Sequence, residues 1–411
     1  MTSAATSIEE RPPNAAIAPT SLTFTPGALV VGGDYQGLGI VRSLGQRSIP
    51  VIVLDDERSV SRWSRYCKSF IKVPSLQDEE EIVQRVLEIG HRFQLHGWVL
   101  YPTREELVAA FSRRRSELSE VFRVPTPPWE CVRWAWDKRN TYRLAQDLGI
   151  PVPRTYYVSS DDKSAQLEDI APPFAIKPAI KEHFFYATKA KAWKANSHAE
   201  LKMLFRKAAA LAGPGEIMVQ EVIPGGGAQQ FSYCAFFRGG EGVAKMVVQR
   251  RRQHPLEFGR ASTYVTTVHV PVLESLSERF LREIDYYGLV EMEYKFDARD
   301  NQFKLLDVNA RTWGYHSLGS QAGVDFSYML YADQIGQHVT PCTAQHGVSW
   351  VRMVTDLPAA AIAMLHGDLD LATYIRSIAS CSTDAVLSAR DPLPGFVELM
   401  LLPYLALTKG F

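Results

Sequence analysis

Apolar residues come in two recurring patterns along the first hundred positions. Ala28–Val31, Val51–Leu54 and Trp98–Tyr101 are short apolar runs of the strand type, whereas Leu38 to Arg47 and Glu79 to Arg92 repeat with helical spacing. Gly32-Gly33-Asp34-Tyr35-Gln36-Gly37 joins the first strand to the first helix. Strand, glycine turn, helix and strand predict a βαβ unit with a parallel sheet. Pro125, Pro127 and Pro128 close this lobe.

Past the prolines a helix is expected over Lys138–Leu148; Gly149 stops it, and Pro151 and Pro153 enforce an extended exit. Strands follow near Phe174–Lys177 and Ile217–Glu221, separated by an Ala-rich helix over 199–212. The stretch from Phe231 to His269 is strand-rich. A helix around Leu276–Tyr286 leads to strands Leu289–Phe296 and Phe303–Asn309. The chain beyond is expected to be helical with an irregular end, and no internal repeat is present.

Length and composition narrow the classes. Four hundred and eleven residues exceed one ordinary core, and 46% hydrophobic with 22% charged residues is the mixture of a folded chain. Forty-five basic residues balance 45 acidic ones, so nothing draws the chain as a whole to nucleic acid or to an anionic membrane. Five cysteines, an odd number without a CxxC pair, fit a reduced cytoplasm. The first 25 residues lack a basic start and an apolar run, which predicts a disordered tail and no signal peptide. Phe396–Leu407 is interrupted by Glu398 and Pro403 and is too short to span a bilayer.

Several segments can carry chemistry, each with a plainer rival. Asp55 after the glycine turn suits a nucleotide ribose, but the spacing is G-G-x-x-x-G, and a tight structural turn explains it as well. Alternation in Glu291–Phe296 puts Glu291 and Glu293 on one strand face; alternation in Leu306–Arg311 does the same for Asp307, Asn309 and Arg311. Facing carboxylates call for a cation, and oxygen-only ligands favour Mg²⁺ or Mn²⁺ over zinc; the rival is a solvated hairpin face. Lys177 ends an apolar strand and either meets a phosphate or snorkels to the surface. Gln220-Glu221-Val222-Ile223-Pro224-Gly225 is either a backbone edge for adenine or a loop. Arg250 and Arg252, taken to share a face, suit a carboxylate or phosphate, or form a solvated strand end. His183, His254 and His316 are candidate bases that structural roles explain equally. Trp129, Trp134 and Trp136 read as packing.

Taken in order, Asp137-Lys138, Pro151-Val152-Pro153, Ile176-Lys177-Pro178, Gln220–Gly225, Glu291–Glu293 and Asp307-Val308-Asn309-Ala310-Arg311 resemble the ATP-grasp superfamily. Within it the chain is similar to the carboxylate–amine ligases, a group that includes D-aspartate ligases, over roughly residues 27 to 400. The resemblance implies an α/β and α+β architecture: a disordered tail (1–25), a Rossmann-like pre-ATP-grasp lobe (26–125), central and C-terminal lobes clasping ATP (126–222 and 223–335), and a C-terminal extension (336–411). It implies that Lys138 and Lys177 touch the ATP phosphates. Gln220, Glu221, Val222 and Ile223 would lie along adenine, with backbone groups of Glu221 and Ile223 as contacts. Gln229 and Gln230 stand where an acid commonly holds the ribose. Glu293, Asp307 and Asn309 match the Mg²⁺ (or Mn²⁺) ligands, with Asp307 replacing a commoner glutamate, and Arg311 faces the reacting carboxyl. The segment after Lys177, often glycine-rich, reads Lys181–Tyr186 here. The implied activity is ATP-dependent joining of a small-molecule carboxylate to an amine, such as an amino acid or small peptide, through an acyl phosphate. No nucleic acid or membrane partner is implied, and a homodimer is admitted without a pattern that selects it. The alternatives are a Rossmann-type NAD(P) oxidoreductase and an ATP-grasp protein that holds nucleotide without turnover.

Overall fold

The computed structural model describes residues 26–157, 171–188, 190–259 and 261–405; the tail expected over residues 1–25 lies outside them. Three sheets follow one another along the chain. The first holds β1 (Ala28–Val31), β2 (Val51–Asp55), β3 (Cys67–Lys72) and β4 (Val99–Pro102), all parallel, in the order β3-β2-β1-β4. Its strands read as unbroken apolar runs because both faces are covered. Ala28, Val30, Val53 and Tyr101 enter one core with the helix Tyr35–Gly45, and Leu29, Val31, Leu54 and Leu100 enter another with the helix Glu79–Arg92.

The glycine turn is closed by the protein itself. Asp55, fully buried at the end of β2, accepts the Gly33 N–H at 2.7 Å and pairs with Arg104 at 2.8 Å. A Cβ on Gly33 would lie 2.4 Å from the Ser61 hydroxyl. Of the two readings of Asp55, the structure shows the tight structural turn, with the carboxylate fixing its own turn.

The second sheet is antiparallel, with β5 (Thr155–Tyr157), β6 (Phe174–Pro178), β7 (Trp193–Ala195) and β8 (Ile217–Glu221) in the order β5-β8-β6-β7. Phe174, Ile176, Ile217 and Val219 pack on Leu201, Phe205 and Ala208 of the helix His198–Ala212. Period two then turns Lys177 away from that core.

The third sheet has eight strands: β9 (Gln230–Arg238), β10 (Glu241–His254), β11 (Ala261–Thr267), β12 (Gly288–Asp297), β13 (Gln302–Asn309), β14 (Cys342–Thr343), β15 (Ser349–Val351) and β16 (Thr383–Asp384). Their order is β13-β12-β9-β10-β11-β15-β16, with β14 beside β10. Its last three strands come from the segment expected to be helical. Helices such as Met353–Leu365 and Leu393–Met400 do form there, but strands of two or three residues show no period of their own. Sheet partners recruit them instead, so strands from both sides of residue 335 share one sheet. No helix among the described residues is long and apolar enough to cross a membrane.

The end of the chain returns to its beginning. Buried Asp391 receives Arg42 Nε at 2.9 Å, the Ser64 hydroxyl at 2.7 Å and the Arg65 N–H at 3.0 Å. Removing that carboxylate strands a largely buried guanidinium. Asp391→Ala should therefore cost about 3–5 kcal/mol in urea unfolding. Glu88→Ala, which breaks the exposed Arg85–Glu88 pair, should cost under about 1 kcal/mol. Equal costs would show that the terminal tie contributes no more than a surface pair.

Candidate functional site

A cleft with an open volume of about 850 Å³ lies between the second and third sheets. Lys138 and Lys177 both line it, and their elements touch, since the Lys138 N–H donates to the Ala179 carbonyl just past Lys177. Lys138 opens the helix Lys138–Asp147, and Asp137 caps that helix by accepting the Arg139 N–H. The Lys138 Nζ pairs with Asp307 Oδ1 at 2.8 Å. Burial works against this ammonium, but Asp307 and Glu105 outweigh it and hold its pKa above the usual lysine range. Lys177 donates to the Tyr142 hydroxyl at 3.2 Å and to Gln220 Oε1 at 3.3 Å. The Gln220 amide donates to Thr155 Oγ1 at 2.8 Å, which turns its oxygen toward the lysine.

Glu221, Val222, Ile223 and Gln230 line the same cleft. The Glu221 carboxylate is taken up by Arg299 at 2.7 Å and Lys304 at 3.3 Å, and its N–H by the Arg154 carbonyl. Gln230 receives Arg250 at 2.5 Å.

The acids come from β12 and β13. Their register sets Glu291 opposite Asn309 and Glu293 opposite Asp307, so all four share a face. Glu291 is 5% exposed and Glu293 9%. Asn309 Nδ2 donates to Glu291 Oε2 at 3.1 Å and to Glu293 Oε1 at 3.0 Å. The Tyr315 hydroxyl donates to Glu291, and Arg250 pairs with Glu293 at 3.1 Å. Burial and then Glu293 push Glu291 up to about 7. Burial also opposes charge on Glu293, but Lys191, Arg250 and the Asn309 amide outweigh it and bring the pKa to about 2. Two neighbouring carboxyls thus divide one charge between them.

Expectations and geometry separate at several residues. Among the described residues no group of three His, Cys, Asp or Glu side chains is placed to hold a metal ion by itself. The donor set is Glu293 and Asp307 across one strand pair, with Asn309 turning Nδ2 to Glu293 and Oδ1 to Arg311 at 3.4 Å. These oxygens are of the kind that suits a hard cation. Arg250 faces the cleft, whereas Arg252 grips Asp356 at 2.8 and 2.7 Å. A register shift between them, with Arg250 opposite Val265 and Arg252 opposite Tyr264, breaks the expected shared face. His316 is buried, its Nδ1 is 3.0 Å from the Trp313 carbonyl, and desolvation lowers it to about 4; its place is in the packing beside the first helix. Trp129 and Trp136 meet edge to face, with Arg113 stacked on Trp129. The Lys181–Tyr186 segment forms the start of a helix, Lys181–Thr188, whose Tyr186 hydroxyl bonds Glu106 of the first lobe at 2.7 Å. Pattern reasoning missed Lys191, Tyr142, Tyr315 and Glu105. Only Lys191, beside the strand Trp193–Ala195, had a local cue in its alternation with alanines.

No family model matches the chain. It is 20% identical over 298 residues to a D-aspartate ligase of Enterococcus faecium (strain Aus0004), covering 69% of this chain and 70% of that one. It superposes on the crystal structure of an L-amino acid ligase from Bacillus licheniformis with a TM-score of 0.59, at 14% identity and 76% and 74% coverage. On N5-carboxyaminoimidazole synthetase from Staphylococcus aureus complexed with ADP the TM-score is 0.61, at 15% identity and 80% and 82% coverage. The fold is the ATP-grasp fold.

The acid pair makes stability pH-dependent. Glu291 carries its proton in the folded chain up to about pH 7 but loses it near 4.5 when unfolded. At this group the folded state therefore binds more protons across that window, and the stability Glu291 contributes falls as pH rises through it. Glu293, shifted the other way, acts only below about 4.5. Buried His316, lowered to about 4, acts in the opposite sense over nearly the same window, so the readout is a difference: the stability of the nucleotide-free wild type relative to Glu291→Gln should fall between pH 4.5 and 7 in thermal unfolding. A parallel profile in the variant would place the proton elsewhere.

Proposed function

We propose that the chain is an ATP- and Mg²⁺-dependent ligase that joins a carboxylate to an amine through an acyl phosphate and releases ADP and phosphate. One observation carries this reading: two held lysines, Lys138 and Lys177, line a single cleft together with Glu293, Asp307 and the segment Glu221–Ile223. The names of the relative in Enterococcus faecium and of the ligase in Bacillus licheniformis support it.

A carboxylate is a poor electrophile, and its approach to ATP sets two anions against each other. The Lys138 and Lys177 ammoniums offset that repulsion at the phosphates, and the partners that hold them leave little reorganisation for the reaction. Glu293, Asp307 and the Asn309 oxygen would hold the metal ion, which when bound would supply further charge compensation for phosphoryl transfer. Arg311 stabilises charge on the reacting carboxyl. A carboxylate oxygen attacks the γ-phosphorus and ADP leaves; the amine then attacks the acyl carbon, phosphate leaves and a proton is released. Residues of the chain position these groups, and no side-chain nucleophile is needed. All five cysteines are free, in keeping with the cytoplasmic setting we assign. The nicotinamide alternative loses its anchor, since Asp55 is bound to Gly33 and Arg104.

An acid-by-amine matrix scored for ADP, with mass detection of products, tests this reading. ADP should form only where acid and amine are both present. With ¹⁸O in the carboxylate, one label should reach the phosphate. Lys177→Met should fold and lower turnover about a hundredfold or more. Asp307→Asn should need far more Mg²⁺ and be partly rescued by Mn²⁺. Nucleotide binding with no ADP from any pair would mark a non-catalytic protein instead.

A further inference from the structure

One surface helix of this chain is built inside out. On Leu393–Met400 the buried positions are Pro394, Gly395 and Glu398, whereas Leu393, Phe396, Leu399 and Met400 are exposed. A surface helix ordinarily shows the reverse, with large apolar side chains inward and charge in water. The fold holds this inversion in place. Glu398 turns in to Arg352 at 3.0 Å. A Cβ on Gly395 would lie 2.7 Å from Leu387 Cδ2, so the glycine is what lets the helix sit this close. Phe396 and Met400, one turn apart and therefore on one face, are 63% and 69% exposed.

The helix packs on the short 3₁₀ turn Val60–Trp63 of the first lobe, where Trp63 is 42% exposed. The exposed charges along this seam have one sign. Every charged side chain from residue 58 to 72 is basic. From 387 to 405 the only acids, Asp391 and Glu398, are buried and paired with Arg42 and Arg352. Arg58, Arg62, Arg65 and Arg390 are exposed, and none has a carboxylate partner among the described residues. Arg58 lies over the Tyr404 ring at 5.3 Å, Arg62 over Trp63 at 5.3 Å and Arg65 over Tyr66 at 5.7 Å, which steadies each charge and leaves its donors free.

Single exposed apolar residues mean little, but a cluster ringed by one sign of charge marks a binding face. In a twofold dimer a second copy would meet this face with the same face and set arginines against arginines. Nucleic acid would use the arginines and leave Phe396 and Met400 without a contact. A bilayer with anionic headgroups takes both: the acyl boundary receives the apolar side chains, the phosphates receive the guanidiniums, and Trp63 sits at the level between. We infer that the face formed by Leu393–Met400 and Val60–Trp63 docks the protein on the surface of an anionic lipid bilayer. The neutrality of the whole chain does not oppose this, because charges beyond about 10 Å are largely screened. None of these residues lines the nucleotide cleft, so the docking goes beyond the ligase reading and does not rest on it.

The test centrifuges the full-length protein with large vesicles of phosphatidylcholine, alone or mixed with phosphatidylglycerol. The protein should sediment with the mixed vesicles, bind those of phosphatidylcholine at least about tenfold more weakly, and leave the mixed ones as salt rises. Phe396→Ser with Met400→Ser should lower the affinity about tenfold or more, and Arg62→Gln with Arg390→Gln should do the same. All four side chains are exposed, so the melting temperature of each variant should stay at the wild-type value. Brominated lipid should quench the wild-type fluorescence more than that of Trp63→Phe. Wild-type protein left in the supernatant of both vesicles would overturn the inference without recourse to a variant. Equal binding to both vesicle types, or binding that survives both pairs of substitutions, would overturn it as well. Sedimentation velocity without lipid examines the second copy: a dimer that Phe396→Ser with Met400→Ser dissociates would give this face to self-association and overturn the bilayer.

Discussion

Two carboxyls placed side by side in a protein interior must be balanced by cations or give up a charge. The β12–β13 register imposes that demand by setting Glu291, Glu293, Asp307 and Asn309 on one buried face. Much of the surrounding architecture answers it. Lys138 reaches Asp307 from the start of a helix, Arg250 reaches Glu293 from β10, and Lys191 lowers Glu293 from beside the strand Trp193–Ala195. Glu291, raised by burial and by Glu293, keeps its proton and a bond from Tyr315.

This balance explains why the site needs all three sheets. The second brings Lys177 out of its core by strand alternation, and the third carries the acids. The first contributes no acid to that face, yet its helix Glu105–Arg113 places Glu105 against Arg311 and Glu106 against Tyr186. The cleft is bounded by elements far apart in sequence and near in charge.

What the sequence made legible follows from the range of each interaction. The helix Glu79–Arg92 and the strand Ile217–Glu221 were readable to the residue, because burial on a face writes its period directly into the chain. The shared face of Glu293 and Asp307 was readable for the same reason, from two alternating strands and a short link. Arg252 was misplaced because a bulge breaks that alternation and nothing in Arg250-Arg251-Arg252 signals it. Glu105 and Tyr315 left no local trace, since their partners lie 206 and 24 positions away. Asp55 carried an ambiguous trace, since an acid after a glycine turn looks the same whether it holds a ribose or the turn, and it holds the turn.

The three short strands after residue 335 have a consequence for how this chain can be shortened. β15 pairs with β11 through Tyr264, Val265 and Thr266, and β16 extends that pairing. A protein ended near residue 335 would keep every residue of the nucleotide cleft and still expose the outer backbone of β11 as a bare edge, with the space of fully buried Trp350 left open. Unpaired strand edges invite pairing with other chains. Fragments cut at that point should be lost to aggregates before their chemistry can be assayed, so the last segment acts as the sheet's built-in guard against self-association.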